Sequence, residues 1–215
     1  MGFALASSKE MTHAATRQHL LQAAGEVFAE TGFRAATVRQ ICQRAKANIA
    51  AINYHFGDKE ELYRAVIRTT LREALDKYPP DFGLKPGATP QERLRAYVHS
   101  FLLRIFSQGP SSWHGKVMAR EMIEPTGALD EIIKENIRPM SLVLKGIVED
   151  LMGARADVKT VRLCSMSVVS QVLFYHHCRP VVLRLFPDMK FDAAALEELS
   201  EHITRFSLAA IKEYK

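Results

Sequence analysis

The residues best suited to chemistry lie between Arg34 and Lys59. Arg34, Arg39, Arg44, Lys46 and Lys59 are cations in a window whose one carboxylate is Asp58. Asn53 can pair with an adenine edge through two hydrogen bonds, and Ala50 and Ala51 let a backbone approach bases and touch a thymine methyl. Tyr54 and His55 carry polar tips suited to phosphate oxygens or base stacking. Together these groups are of the kinds that read double-stranded DNA. Five cations alone would pass for an ordinary solvated face; their interleaving with an amide, small residues and aromatics points to nucleic acid.

Such side chains work only if short helices hold them. Thr37 opens a helix over residues 38–45, with Val38, Ile41 and Cys42 turned inward. Asn48 fits as N-cap of a second over 49–56, anchored by Ile52 and Phe56. A first helix, about residues 16–30, puts Leu20, Leu21, Ala24, Val27 and Phe28 on one stripe and stops at Gly32. Gly57 and Asp58 interrupt the chain, and a fourth helix runs over 59–77. Two short helices joined by a tight turn, with a third supplying the core, make a helix-turn-helix, whose second helix enters the major groove.

This stretch, from Arg17 to Leu62, resembles the TetR/AcrR family of bacterial regulators. Ala23, Ala24, Phe28, Gly32, Phe33, Thr37, Ile41, Ala45, Tyr54, His55, Phe56, Lys59 and Leu62 fall at the family's spacing. Residues 47–56, supported by 171–180, resemble its CecR-like subgroup of antibiotic-sensitivity regulators. The resemblance implies that Thr37, Tyr54, His55 and Lys59 hold phosphates, while Arg39, Ile49, Ala50, Ala51 and Asn53 face base edges. Lys46 stands where the family usually has Gly, so it is either an added phosphate contact in a strained left-handed turn or the mark of a different turn. Asn53 stands where Tyr is more common. With the cap Asn48, these eleven residues make the expected DNA-binding set.

Beyond a Pro- and Gly-rich break at 78–88, Thr89 to Glu92 form a capping box. Helical spacing then recurs over 90–106, 113–124, 127–152 with a kink at Pro139, 157–178 or beyond, and 192–214. The fold class is therefore all-α, about nine helices: an N-terminal three-helix helix-turn-helix domain, then a helical ligand-binding and dimerisation domain. The expected boundaries are a mobile arm over 1–14, the reader over 15–60 with a connecting helix to 78, and the C-terminal domain over 79–215.

The resemblance implies that the last two helices pair with their copies in a homodimer. The stripe assigned to that contact is Leu196, Leu199, Ile203, Phe206, Ala210 and Ile211; the alternative is packing inside the protomer. Phe101, Ile105, Trp113, Met118, Met122, Met166, Phe174 and His177 are the candidate lining of a pocket for a small-molecule effector, since Met and aromatic walls adapt to apolar ligands. Plain core is the rival role for each.

Composition excludes several classes. The chain has 215 residues, 47% of them hydrophobic, which is enough core to dispense with disulfide or metal staples. A net charge of +5 permits DNA binding without demanding it. Cys42, Cys164 and Cys178 form no C-x-x-C pair, so no zinc ribbon or disulfide framework is expected. His176, His177 and Cys178 are adjacent on a helix and point too far apart to share an ion. An enzyme with Cys178 or Cys164 as nucleophile and His176 as base would lack an orienting group and an oxyanion site. A helical interaction module without DNA is the other rival. No cofactor, metal or membrane contact is expected, and no signal peptide, so the expected compartment is the cytoplasm.

Overall fold

Local capping chemistry sets where most helices begin and end. The computed structural model describes residues 2–106, 113–153 and 157–214, with backbone alone for 2–12 and 114. The break at 108–112 beside Trp113 and the side chain of His114 lie outside the described residues. Among the described residues every regular element is helical: α1 (Gly2–Ala35), α2 (Val38–Ala45), α3 (Ile49–Phe56), α4 (Lys59–Lys77), α5 (Pro90–Phe106), α6 (Trp113–Ile123), α7 (Ala128–Ile132), α8 (Arg138–Met152), α9 (Val158–His177), α10 (Arg179–Leu185) and α11 (Ala193–Lys212). None of these is long and apolar enough to cross a membrane.

Helix α1 begins well before residue 16, and its regular course is broken at Gly32, where φ is 80°. Helices α7 and α8 run on through a π turn, Ile133–Ile137, so they count as one long helix. There Arg138 N–H donates to Ile133 O, five residues back. The cause is Pro139: it has no N–H to donate, and its ring would strike the carbonyl of Glu135. Helix α10 was not anticipated as a separate element. Cys178 N–H closes α9 on the Phe174 and His176 carbonyls, and Pro180 sits in the first turn of α10, a position proline favours.

The chain divides into two compact units, Met1–Arg72 with Lys116–Leu129, and Glu73–Gly115 with Asp130–Lys215. The first is cored by Leu20, Phe28, Ile41, Ile52, Leu62 and Val66, all fully buried. The second is cored by Leu94, Val98, Leu102, Leu144, Ile147, Val148, Val172 and Ile203, from α5, α8, α9 and α11. These boundaries differ from those read in the sequence, because α6 from Lys116 onward belongs with the N-terminal helices. Arg120 donates to the Ala29 and Glu30 carbonyls, at 3.2 and 2.6 Å, where α1 nears its break. The buried Glu121 carboxylate accepts from Tyr63 Oη at 2.8 Å and from Thr126 N and Oγ1 at 2.8 and 3.0 Å. Burial, reinforced by Glu121, pushes the Tyr63 hydroxyl far above its ordinary value, so it stays a donor.

Candidate nucleic-acid interface

Three local devices shape α2, the turn and α3. Thr37 and Gln40 form a reciprocal cap: Gln40 N donates to Thr37 Oγ1 at 3.2 Å, and Thr37 N to Gln40 Oε1 at 2.8 Å. Lys46 closes α2 in the left-handed conformation, φ 51° and ψ 41°, the one non-glycine with positive φ among the described residues. The turn therefore keeps its glycine-like geometry with a lysine in it, at a steric cost. Asn48 then caps α3, its Oδ1 accepting from Ala51 N at 2.9 Å. Ile41, Cys42 and Ile52 anchor the pair of helices in the core.

Anchoring one face of α3 leaves the other in water. Ile49 is 53% and Tyr54 74% exposed, although both are large side chains that usually seek burial. Ala50 and Asn53 are exposed with them, as are Thr37, Arg39, Lys46 and Asn48, while Ala51 is half-buried. A small, partly apolar surface, with exposed Arg39 on the preceding helix and Lys46 in the turn, has the groups that base edges and phosphates require.

Two expected contacts, Lys59 and His55, and one further cation of the basic focus, Arg44, are less free than their residue types suggested. Lys59 Nζ donates to the Phe33 and Ala36 carbonyls at 3.0 and 3.1 Å and lies 4.4 Å from the Phe33 ring centroid. It is thus bound into the end of α1. Arg44, part of the basic focus, is held by Glu30 in a two-pronged ion pair at 2.8 Å. His55 is half-buried; burial first, then the nearby His13 and Arg17, holds its imidazole below the ordinary histidine value. Sequence reasoning missed His13, Arg17 and Gln40 at this surface. The T-x-x-Q spacing could have revealed Gln40; the other two touch α3 from far away in the chain, where no pattern signals them.

The second unit rearranges the remaining expectations. Leu196, Leu199, Ile203 and Ile211 are buried in that unit's own core, so the alternative of packing inside the protomer holds for four of the six stripe residues. Phe206 and Ala210 stay exposed. Conversely, Met166 and Phe174, offered as pocket lining, are 59% and 52% exposed on α9, beside exposed Leu163 and His177. Phe101, Ile105 and Trp113 are half-buried, and Met118 and Met122 fall in the first unit, so the eight do not share one body. Two open clefts follow α9 and α11: one of about 660 Å³ beside Tyr175, Asp188, Met189 and His202, and one of about 290 Å³ beside Gln171, Phe174 and His202. Of the expected lining, Phe174 alone borders either cleft. Among the described residues, no group of three His, Cys, Asp or Glu is placed to hold a metal ion.

Comparison with known proteins bears on both units. Residues 20–66 match the family described as bacterial regulatory proteins, tetR family, and residues 90–211 match the C-terminal domain of the HTH-type transcriptional dual regulator CecR. The CecR of Shigella flexneri is 26% identical over 202 residues, covering 87% of each chain. The HTH-type transcriptional repressor AcnR of Corynebacterium efficiens is 43% identical over 53 residues, 25% of this chain and 28% of its own length. A TetR-like transcriptional regulator from a Rhodococcus species superposes with a TM-score of 0.65 at 22% identity, over 91% of this chain and 97% of that one.

Proposed function

Because the chain belongs to the TetR family of bacterial regulatory proteins, with the C-terminal domain of the CecR branch, we propose that it is a dimeric, effector-responsive repressor gripping a palindromic operator through α3. Members of this family are transcription regulators, not enzymes. The observation that carries the reading is the split of α3: Ile52 is fully buried while Ile49, Ala50, Asn53 and Tyr54 face solvent. Asn53, Ala50, Ala51, Ile49 and Arg39 read base edges. Thr37, Lys46, Asn48, Tyr54, His55 and Lys59 serve the phosphates or fix the helix ends beside them. Repression is the role in the name of AcnR; CecR is named a dual regulator.

A two-fold operator needs a two-fold protein. The outward residues of the last long helices suit the partner copy: Leu163, Met166 and Phe174 on α9, and Phe206 and Ala210 on α11. The effector is a small, largely apolar or antibiotic-like molecule, and Phe101, Ile105 and Trp113 are its wall in the second unit. Two copies of α3 must sit about one DNA turn apart, ~34–36 Å, to enter successive major grooves. An effector that favours a mismatched spacing tenfold supplies ~1.4 kcal/mol toward release.

Selection of bound fragments from random DNA, followed by footprinting, tests the proposal. An inverted repeat is the expected result, and single asymmetric sites would overturn the two-fold reading. Titrating apolar and antibiotic-like compounds while following Trp113 emission and operator affinity tests the sensor. A compound that shifts affinity, leaves Trp113 emission unchanged and binds Trp113→Phe equally well puts the site elsewhere.

A further inference from the structure

Helix α1 reaches the recognition helix with two side chains one turn apart. The His13 ring lies 4.3 Å from that of His55, centroid to centroid, and 5.1 Å from that of Tyr54, edge-on to the latter. One turn on, the Arg17 guanidinium sits 5.1 Å from the Phe56 ring centroid. Three consecutive residues at the C-terminal end of α3 are thus clasped from α1, on the side where Tyr54 emerges into solvent.

The charges resolved at this corner are of one sign. Among the described residues, the titratable and charged groups facing it are His13 and Arg17 on α1 and Tyr54 and His55 on α3; the charges acting on His55 are those of His13 and Arg17. Burial first, then the nearby His13 and Arg17, makes the His55 imidazole resist a proton in water. An anion brought to the corner reverses that balance, because each added proton then finds a counter-charge. His13 is exposed, so such an anion can reach it.

Resting on the proposed DNA reading by α3, we infer that His13 is a DNA-backbone contact and positioning residue, and that operator binding at this corner takes up a proton. His13 orients Tyr54 and His55 by ring contact and, once protonated, presents an N–H to the same phosphate run. The bound state then holds more protons than the free state. Linkage fixes the sign: affinity rises as pH falls through the histidine range, by as much as about tenfold per protomer per pH unit for one full proton. Backbone contacts carry no sequence information, so operator and unrelated duplex should respond alike.

The test is gel-shift affinity of the intact protein for its selected operator and for an unrelated duplex, between pH 8 and pH 6, at several salt concentrations. Wild type should bind both more tightly at the acid end. His13→Gln, which keeps a polar side chain of similar reach, should flatten that dependence and, at pH 6, reduce the log–log salt slope by about 0.9 per protomer. Asn53→Ala should keep the pH dependence while losing base preference. A His13→Gln protein with an unchanged pH profile and salt slope, beside an Asn53→Ala that loses preference, overturns this inference and leaves the DNA reading standing. A wild-type protein that selects no DNA at any pH overturns both.

Discussion

Helices α3 and α11 are both amphipathic, yet their exposed faces obey different rules. In α3 the residue types at Asn48, Ile49, Ile52, Asn53 and Tyr54 led to the observed inside and outside, because a cap at one end and a single buried Ile orient eight residues. In α11 the apolar stripe suggests a partner contact, but four of its six residues fill the second unit's own core, and the outward positions are Phe206 and Ala210. A helix set by local devices shows its exposed face in its sequence. A helix set by packing spends its strongest apolar face on its own core first, since that burial contributes about 25 cal/mol per Å² of apolar surface and needs no second chain.

The largest test of this contrast is a matched truncation. Ile52→Ala and Ile203→Ala should each cost about 2–5 kcal/mol of stability, since both side chains are fully buried. Phe206→Ala, half exposed, should barely change stability at fixed dimer content yet weaken dimerisation in analytical ultracentrifugation. An Ile203→Ala protein that unfolds normally but comes apart into monomers would restore the partner-facing role for that stripe.

Next come the two lysines of the reader, which the structure separates. Lys59→Ala removes charged hydrogen bonds to the Phe33 and Ala36 carbonyls and should cost about 1.5–3 kcal/mol in urea unfolding. Lys46→Gly should instead raise stability by up to about 1 kcal/mol, because glycine accepts the left-handed turn. It should also weaken DNA binding and flatten the salt slope. If Lys59→Ala weakens DNA binding with no loss of stability, its ties to α1 are dispensable. Between these in size, Asn53→Ala should lose about 1–3 kcal/mol of discrimination at one position of each half-site, read by competition between operator variants. Uniform weakening across all variants would move Asn53 to the backbone-contact group.

The smallest effect concerns acid. His176, on α9, is half-buried, and burial first, then His177 and Arg179, holds its imidazole below the ordinary value. The folded chain then binds fewer protons than the unfolded one near that range. Its contribution is complete above about pH 6.5 and is lost as pH falls from there to the folded value. Urea midpoints at pH 7.5 and 5.5 should show this loss, and His176→Gln should reduce it. An identical loss in the variant would assign it to other groups, His55 first among them, since it is shifted the same way.

Much of the fold was legible in the sequence for a physical reason: helix ends are decided within about four residues by caps, glycines and prolines. Helices α2 to α5 start and stop where Thr37, Asn48, Gly57, the 78–88 break and the Thr89 box require, and the family match over 20–66 and 90–211 agrees with the resemblance carried by those residues. Local chemistry also marked Pro139 as an irregular point, where the structure has a π turn over Ile133–Ile137. What only the tertiary structure decided was allegiance. Arg44 turned to Glu30, Lys59 to the end of α1, His13 to His55, and α6 from Lys116 onward to the N-terminal unit through Arg120 and Glu121. Each is a contact between residues at least fourteen apart, whose partner depends on where two helices pass. Residue type and periodicity say that an arginine wants an anion or that a leucine wants burial; only packing says which one it finds.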